Sequence, residues 1–198
     1  MHDADLTFCK NRDKHVKHTC GAGTHCPLDL AGPYEFPHLI VPVDAAAPSS
    51  PKGNQLDGSI SSSVCTIYNF DIHPRLAGKT CSLVWLFPEQ KDLQTSAFTY
   101  IAHEKPEDSK KDTAVEPLFD VYRLSNPALH DTTWEGVGEK TLLGKGIAKP
   151  GESWSTWTGE CAKDAGKTVS FMLCGKDFEL VYFQDFNPSP IGLYMRAC

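Results

Sequence analysis

A chain of 198 residues, 40% hydrophobic and 22% charged, holds enough apolar material for one sizeable core and carries a formal net charge of −6. That sign excludes the basic surface that nucleic acid selects and opposes binding to an anionic membrane. No apolar run approaches the ~20 residues of a spanning helix, and the best of them, "PHLIVPV", is short and broken by proline.

Taken in chain order, residues 1–30 are polar, rich in Cys and His and without a clear period. They read as a disulfide-tied cap packed on a single domain over residues 31–198. Residues 31–43, "AGPYEFPHLIVPV", open that domain as an extended strand, and residues 44–62, rich in Pro, Ser and Gly, read as a surface loop. The period then becomes two. In "SVCTIYNFDI", Val64, Thr66, Tyr68, Phe70 and Ile72 fall on one face, and in "CSLVWLF", Cys81, Leu83, Trp85 and Phe87 do the same. The connection "HPRLAGK" carries a Pro and a Gly, so the two runs read as a hairpin. Further strands are expected at "TSAFTYIA", "LFDVYRL", "KTVSFMLC", "FELVYFQDF" and "IGLYMRAC". Many short strands with turn residues between them, and no long helical stripe, predict an all-β fold, a β-sandwich of antiparallel strands.

There are eight cysteines: Cys9, Cys20, Cys26, Cys65, Cys81, Cys161, Cys174 and Cys198. An even number spread along the chain points to an oxidising compartment and a disulfide framework. Sequence does not choose among the connectivities. Parity does require that, if all pair, at least one of the three before residue 30 is bridged to the main domain. Cys198 is the last residue, where a chain ordinarily frays; it reads as a staple for the final strand rather than a nucleophile. The expected location is therefore secreted and extracellular, with Met1 standing in place of a removed leader. A cytosolic protein with reduced thiols is the alternative. No Asn-x-Ser/Thr sequon occurs, since Asn187 is followed by Pro188.

Three blocks of the sequence, "FPHLIVPV", "NFDIHPRLAGKTCSLVWLFPEQ" and "YFQDFNPSPIGLYMRAC", resemble the C-terminal domain of the fungal ubiquitin-3-binding-protein family, the But-type domain, over about residues 35–198. Residues 1–30 lie outside the resemblance. It implies a fungal, commonly secreted protein with a β-rich domain, no established catalytic residues to carry over, and a family name taken from interaction with a ubiquitin-like modifier.

Several groups of residues are candidates for chemistry. His15, His18 and His25 lie among Cys20 and Cys26; imidazole and thiolate together are zinc ligands, but bridged sulfurs do not ligate and the spacing matches no zinc motif. His2, if it began the mature chain, would offer an amine and a ring to copper, as in lytic polysaccharide monooxygenases, with His73, His103 or His130 as the second histidine. A glycosidase needs two carboxyls held about 5–9 Å apart, and Glu104 with Glu107, Asp131 with Glu135, and Glu152 with Glu160 are the pairs the sequence offers. No Gly-x-Ser-x-Gly elbow or phosphate loop is present.

The tryptophans carry the most information. Trp85 reads as core. Trp134, in "DTTWEGVGEK", and Trp154 and Trp157, in "PGESWSTWTGE", lie in polar surroundings. Positions three apart on a strand face opposite ways, so one of the latter pair should face outward. The expectation is a secreted, monomeric, non-catalytic extracellular or cell-wall-associated protein, a candidate host-directed effector or elicitor, needing no cofactor or metal. Its partner would be a wall polysaccharide or a host extracellular protein. The first alternative is a module for neutral polysaccharide, chitin or glucan, stacking on Trp134, Trp154 or Trp157 with Asp131 and Glu135 as hydrogen-bond acceptors. The second is a polysaccharide-active glycoside hydrolase or copper monooxygenase.

Overall fold

The computed structural model describes residues 25–103 and 116–198, together with the backbone pairing of two short strands, β1 (Thr7–Cys9) and β2 (His18–Cys20). The other strands are β3 (Tyr34–Glu35), β4 (Leu39–Asp44), β5 (Asp57–Ile60), β6 (Val64–Asp71), β7 (Thr80–Leu86), β8 (Phe98–Ala102), β9 (Leu118–Leu124), β10 (Lys140–Ile147), β11 (Trp154–Glu160), β12 (Thr168–Gly175), β13 (Phe178–Phe183) and β14 (Gly192–Ala197). Short 3₁₀ turns at Pro74–Leu76, Gln90–Asp92 and Cys161–Lys163 are the helical elements among the described residues. The fold is the all-β sandwich that the period-two pattern predicts.

Three antiparallel sheets enclose the core. One has five strands in the order β10-β9-β12-β6-β4, one has four in the order β11-β7-β14-β3, and one has three in the order β5-β13-β8. Between them lies an aromatic-rich core. Tyr68, Phe70, Phe119 and Phe171 come from the first sheet, Trp85, Phe87 and Trp154 from the second and its ends, and Phe178 and Tyr182 from the third. Ring pairs are offset or edge-on, as quadrupoles prefer, with Trp85 against Tyr182 at 5.1 Å and 88°.

β6 and β7 are apolar on both faces because both are central strands. The outward residues of β6, Cys65 and Ile67, lie in a second cluster with Val41, Val43, Met172 and Ala128. The outward residues of β7, Val84 and Leu86, meet Tyr194 under a strap formed by Leu28, Leu30 and Tyr34.

The hairpin expected across "HPRLAGK" is not formed. β6 and β7 belong to different sheets, and the connection crosses between them through the 3₁₀ turn at Pro74–Leu76, whose Leu76 is buried. Gly78 is not among the glycines with positive φ, so the tight primed turn that closes a hairpin is missing.

The expected loop at 44–62 in turn contains β5. Gly58 lets it pass beneath Tyr182, where a Cβ would stand 2.3 Å from the ring. β10 lies outside the strands expected from sequence, and β11 is not the regular strand on which Trp154 and Trp157 would face opposite ways. Gly144 and Gly146 interrupt the first, and a β-bulge between Ser155 and Trp157 interrupts the second.

Among the described residues three bridges pin the frame: Cys26–Cys198, Cys65–Cys174 and Cys81–Cys161. The first is the link from the N-terminal segment to the main domain that parity requires, and it closes the last strand. Cys198 also exchanges backbone hydrogen bonds with Thr80, at 2.9 Å each way. Cys9 and Cys20 fall on β1 and β2, and their side chains lie outside the described residues.

Candidate functional site: a groove at the loop end of the sandwich

The C-terminal end of β7 and the N-terminal ends of β11 and β14 lie side by side, since Trp85 pairs with both Trp154 and Leu193. Their loops, 87–92, 148–153 and 184–191, therefore gather at one end of the sheet. The strap residues Leu28–Leu30 close one side. Together they form an open groove of ≈ 980 Å³, at the upper end of the size of small-ligand pockets. Loops held by a rigid scaffold are where binding residues concentrate.

Each wall is fixed by hydrogen bonds. In the 184–191 loop, Asp185 is 5% exposed. Its Oδ1 accepts from Asn187 N at 3.1 Å and Nδ2 at 2.9 Å, and its Oδ2 accepts from the Thr95 hydroxyl. The Tyr194 hydroxyl beneath donates to the carbonyls of Asp185 and Ile191. Burial, and then the Asp185 charge, push that phenol well above its ordinary pKa, so it remains a donor. This bracket holds Phe186 out at 54% exposure, edge-on to Phe36 at 5.8 Å, with Pro188 and Pro190 beside it on the groove wall.

Across the groove, Gly151 N donates to Phe87 O at 2.7 Å and Phe87 N to Ser153 Oγ at 3.2 Å. Gly151 has φ +85°, and a Cβ there would be 2.9 Å from Glu89 Oε1, so glycine is needed for this close approach.

The strap is held from below by Arg196, 5% exposed. Its Nε donates to Asp29 O at 2.9 Å and one terminal nitrogen to Pro33 O at 3.0 Å. The other lies 3.3 Å from Asp29 Oδ1. Among the described residues, no ion pair uses the groove's Glu89, Asp92, Glu152, Lys91 or Lys149. The arrangement offers one rigid aromatic anchor beside unpaired charges of both signs.

The residues singled out from sequence lie elsewhere, except Glu152. Trp154 is 1% exposed. Its indole stacks on Trp85 at 6.1 Å and its Nε1 donates to Ile147 O at 2.9 Å. It leaves no face for a sugar, which corrects its expected role as a platform. Trp157 does not face the opposite way, because the bulge in β11 inserts a residue and resets the alternation. It packs on the same core, and the Arg123 guanidinium lies 5.7 Å from its ring. Arg123 itself makes a two-pronged pair with Asp164, at 2.7 and 3.0 Å. Trp134 is half-buried against the outer cluster over β6 and β12, in a turn where Asp131 and Glu135 are exposed.

Glu152 precedes β11 and Glu160 ends it. A seven-residue strand separates them by roughly 20 Å at 3.3 Å per residue, too far to flank one glycosidic bond. His73 Nδ1 accepts from Arg75 N at 3.1 Å, and His103 Nε2 lies 3.6 Å from Glu179. His130 is exposed. His25 Nδ1 meets the hydroxyls of Ser155 and Thr158 at 3.1 and 2.6 Å. His2, His15, Glu104 and Glu107 lie outside the described residues, as does the side chain of His18. Among the described residues no group of three His, Cys, Asp or Glu is placed to hold a metal.

Sequence reasoning missed Phe186 and the unpaired groove charges. The available signal was "QDFNPSPIG", a loop in which two prolines flank a short polar stretch beside an aromatic residue.

The molecule thus defines a class: a disulfide-locked antiparallel β-sandwich with a composite groove at one loop end. Comparison with protein families agrees with that architecture's sequence blocks. The profile of the ubiquitin 3 binding protein But2 C-terminal domain matches residues 35–188, and the chain belongs to this family. No curated protein and no solved structure matches the chain.

Proposed function

We propose that this is a secreted fungal protein, wall-associated or directed at a host, that acts as a monomer by binding rather than by catalysis. Its loop-end groove takes an extended segment of an extracellular protein. The exposed Phe186 held on its bracketed loop is the observation that carries this reading. An aromatic side chain fixed in place loses little entropy on binding and makes an effective anchor.

The unpaired charges favour a polypeptide over a neutral glycan. Covering Glu89, Glu152 and Lys149 with uncharged sugar would strip water without returning opposite charge, whereas a peptide bearing both signs compensates. The family description is of a binding protein, in keeping with a protein partner. Three cystines belong to an oxidising compartment, so that partner is extracellular rather than an intracellular modifier.

The test is selection of a displayed library of random dodecapeptides on the immobilised, oxidised protein, with Phe186→Ala as counter-bait. Clones retained by wild type and lost on Phe186→Ala are expected, each with an apolar side chain beside charged ones. Absence of any such clone overturns the groove reading. No turnover of polysaccharides, esters or peptides is expected, with or without copper; oxidation of a glycan by copper-loaded protein would overturn the non-catalytic reading.

A second reading keeps the neutral polysaccharide at Trp134 alone, supported by that ring's partial exposure between the exposed carboxylates of Asp131 and Glu135.

A further inference from the structure

The groove is not made by the sandwich alone. One side of it, Leu28–Leu30, belongs to a strap that runs from Cys26 to Tyr34 over the outer face of the four-stranded sheet. The strap covers Val84, Leu86 and Tyr194. Besides that packing, it is held by the Cys26–Cys198 bridge, Cys26 N donating to Ser82 Oγ at 3.0 Å, Ala197 N donating to Pro33 O at 2.8 Å, the edge-on pair of Tyr34 and Tyr194 at 5.9 Å, the Arg196 bonds, and the two-residue pairing of β3 with β14. Gly32 sits so close to Arg196 that a Cβ would meet its guanidinium at 2.6 Å. The strap is therefore a separately fastened part, and its one covalent fastening lies at its N-terminal end.

The three bridges differ in access. Cys81 and Cys161 are 2% and 0% exposed. Cys65 is 5% exposed and its partner Cys174 half-buried, both within the central strands β6 and β12. Cys26 is 2% exposed, whereas its partner Cys198 is exposed, beyond the last residue of β14, Ala197. Thiol–disulfide exchange needs a path for the attacking thiolate to one sulfur of the bridge, so a bridge with one exposed half opens before bridges that have none.

We propose that Cys26–Cys198 is a redox latch for the groove: reduction of this bridge alone releases the strap and dismantles one groove wall while the sandwich stays folded. The reductant is a dithiol. Its thiolate attacks the Cys198 sulfur, forming a mixed disulfide, and Cys26 leaves as a thiolate and takes a proton. The second thiol of the reductant then displaces Cys198 as a thiol. The protein gains two electrons and two protons, and the dithiol becomes a disulfide. Oxidised protein outside the cell keeps the groove walled and able to hold its ligand; a reducing surface or compartment removes that wall. The ligand-release step rests on the groove reading above. The latch itself does not.

The experiment titrates the oxidised full chain with dithiothreitol and traps free thiols by alkylation. Peptide mapping then reads which cysteines are labelled. Backbone hydrogen exchange at 26–35 is read on the same samples, with Cys26→Ser/Cys198→Ser as a permanently open form. Cys26 and Cys198 are expected to label first, with Cys65, Cys81, Cys161 and Cys174 still bridged. Strap amides, with Cys26 released from Cys198, are expected to exchange roughly tenfold faster or more, while β6 and β12 stay protected.

Labelling of Cys65 and Cys174 or of Cys81 and Cys161 before Cys26 and Cys198, or of these three pairs together, overturns the latch. So does first labelling of Cys26 and Cys198 with strap exchange unchanged. A groove-selected dodecapeptide should lose at least about tenfold in affinity on opening; retention at full affinity overturns the regulation. If no dodecapeptide binds the oxidised protein, the groove reading fails on its own, and labelling order with strap exchange still decides the latch.

Discussion

Gly146 lies directly beneath the indole of Trp154: a Cβ at this position would stand 2.1 Å from Trp154 Cε2. β10 and β11 belong to different sheets, and the large ring packs here only because the strand opposite has no side chain. Gly146→Ala is expected to lower stability by about 1–3 kcal/mol, the usual range for overpacking a dense core. A lower urea midpoint at unchanged slope would register it. Gly78→Ala, where no atom lies within 4 Å, is the matched control and should move stability by no more than about 0.5 kcal/mol. Equal midpoints for the two variants would mean that the Trp154 ring yields freely.

The same pair marks where sequence reading stopped. β6, β7, β9, β12 and β14 were legible because their alternation is carried by large apolar residues whose faces both find cover. β5 and β10 were not. Their inward positions include Gly58 and Gly146, which carry no hydrophobic signal and are glycine because Tyr182 and Trp154 occupy the space. The bulge in β11 was equally hidden, and a single inserted residue turned Trp157 to the same side as Trp154, half-buried against the core instead of leaving one of the pair facing outward. The need for a bridge to the N-terminal segment followed from counting, whereas its partners required three-dimensional proximity. The groove was invisible for a different reason. Its walls come from four separate stretches, and exposed Phe186 is distinguished from any other loop aromatic only by the Asp185 and Tyr194 bonds that hold its loop.

The bridges make a direct expectation for mass. Three of them account for six of the eight cysteines, leaving Cys9 and Cys20. With Cys9 and Cys20 paired as the even count expects, the unreduced chain should weigh eight hydrogens less than the reduced one, and a non-reducing peptide map should link 26 to 198, 65 to 174 and 81 to 161. Replacing Cys65 and Cys174 together by Ser should cost about 2–5 kcal/mol by freeing the unfolded chain. Free thiols throughout a preparation made under oxidising conditions would defeat the secreted reading.

The tryptophans separate by burial. Trp154→Ala removes a ring that is 1% exposed and should cost about 3–5 kcal/mol. Trp134→Ala removes a half-buried ring from the outer cluster and should leave a cooperatively folded domain. Pull-down on chitin, β-glucan and cellulose then tests the polysaccharide reading. Retention of wild type, weakened in Trp134→Ala by about 1 kcal/mol of lost stacking, would support it. Wild type that binds none of the three would end it, leaving the groove as the contact face.

Alkaline pH should find the sandwich through its phenols. The hydroxyls of Tyr68 and Tyr182 meet at 2.6 Å inside the core, and Gln184 links that pair to β14 through Leu193 N and O at 3.2 and 3.0 Å. Burial raises the pKa of Tyr68, Tyr182 and Tyr194 well above the ordinary 10.0. In Tyr182 the neighbouring Tyr68 adds to the rise, and in Tyr194 the charge of Asp185 does. A phenol is neutral when protonated, so the folded state holds these protons to higher pH than the unfolded chain. The resulting stability is complete below about pH 10, where both states are protonated, and is lost as pH climbs from there toward the folded values. Urea midpoints should therefore be insensitive to these groups near neutrality and fall increasingly steeply above about pH 10. Phenolate absorbance should lag for these three rings until unfolding. Tyr68→Phe removes one of the titrating groups and should flatten the alkaline decline, while costing about 1 kcal/mol at neutral pH for the lost hydrogen bond. An alkaline slope unchanged by that substitution would mean that other groups drive the transition.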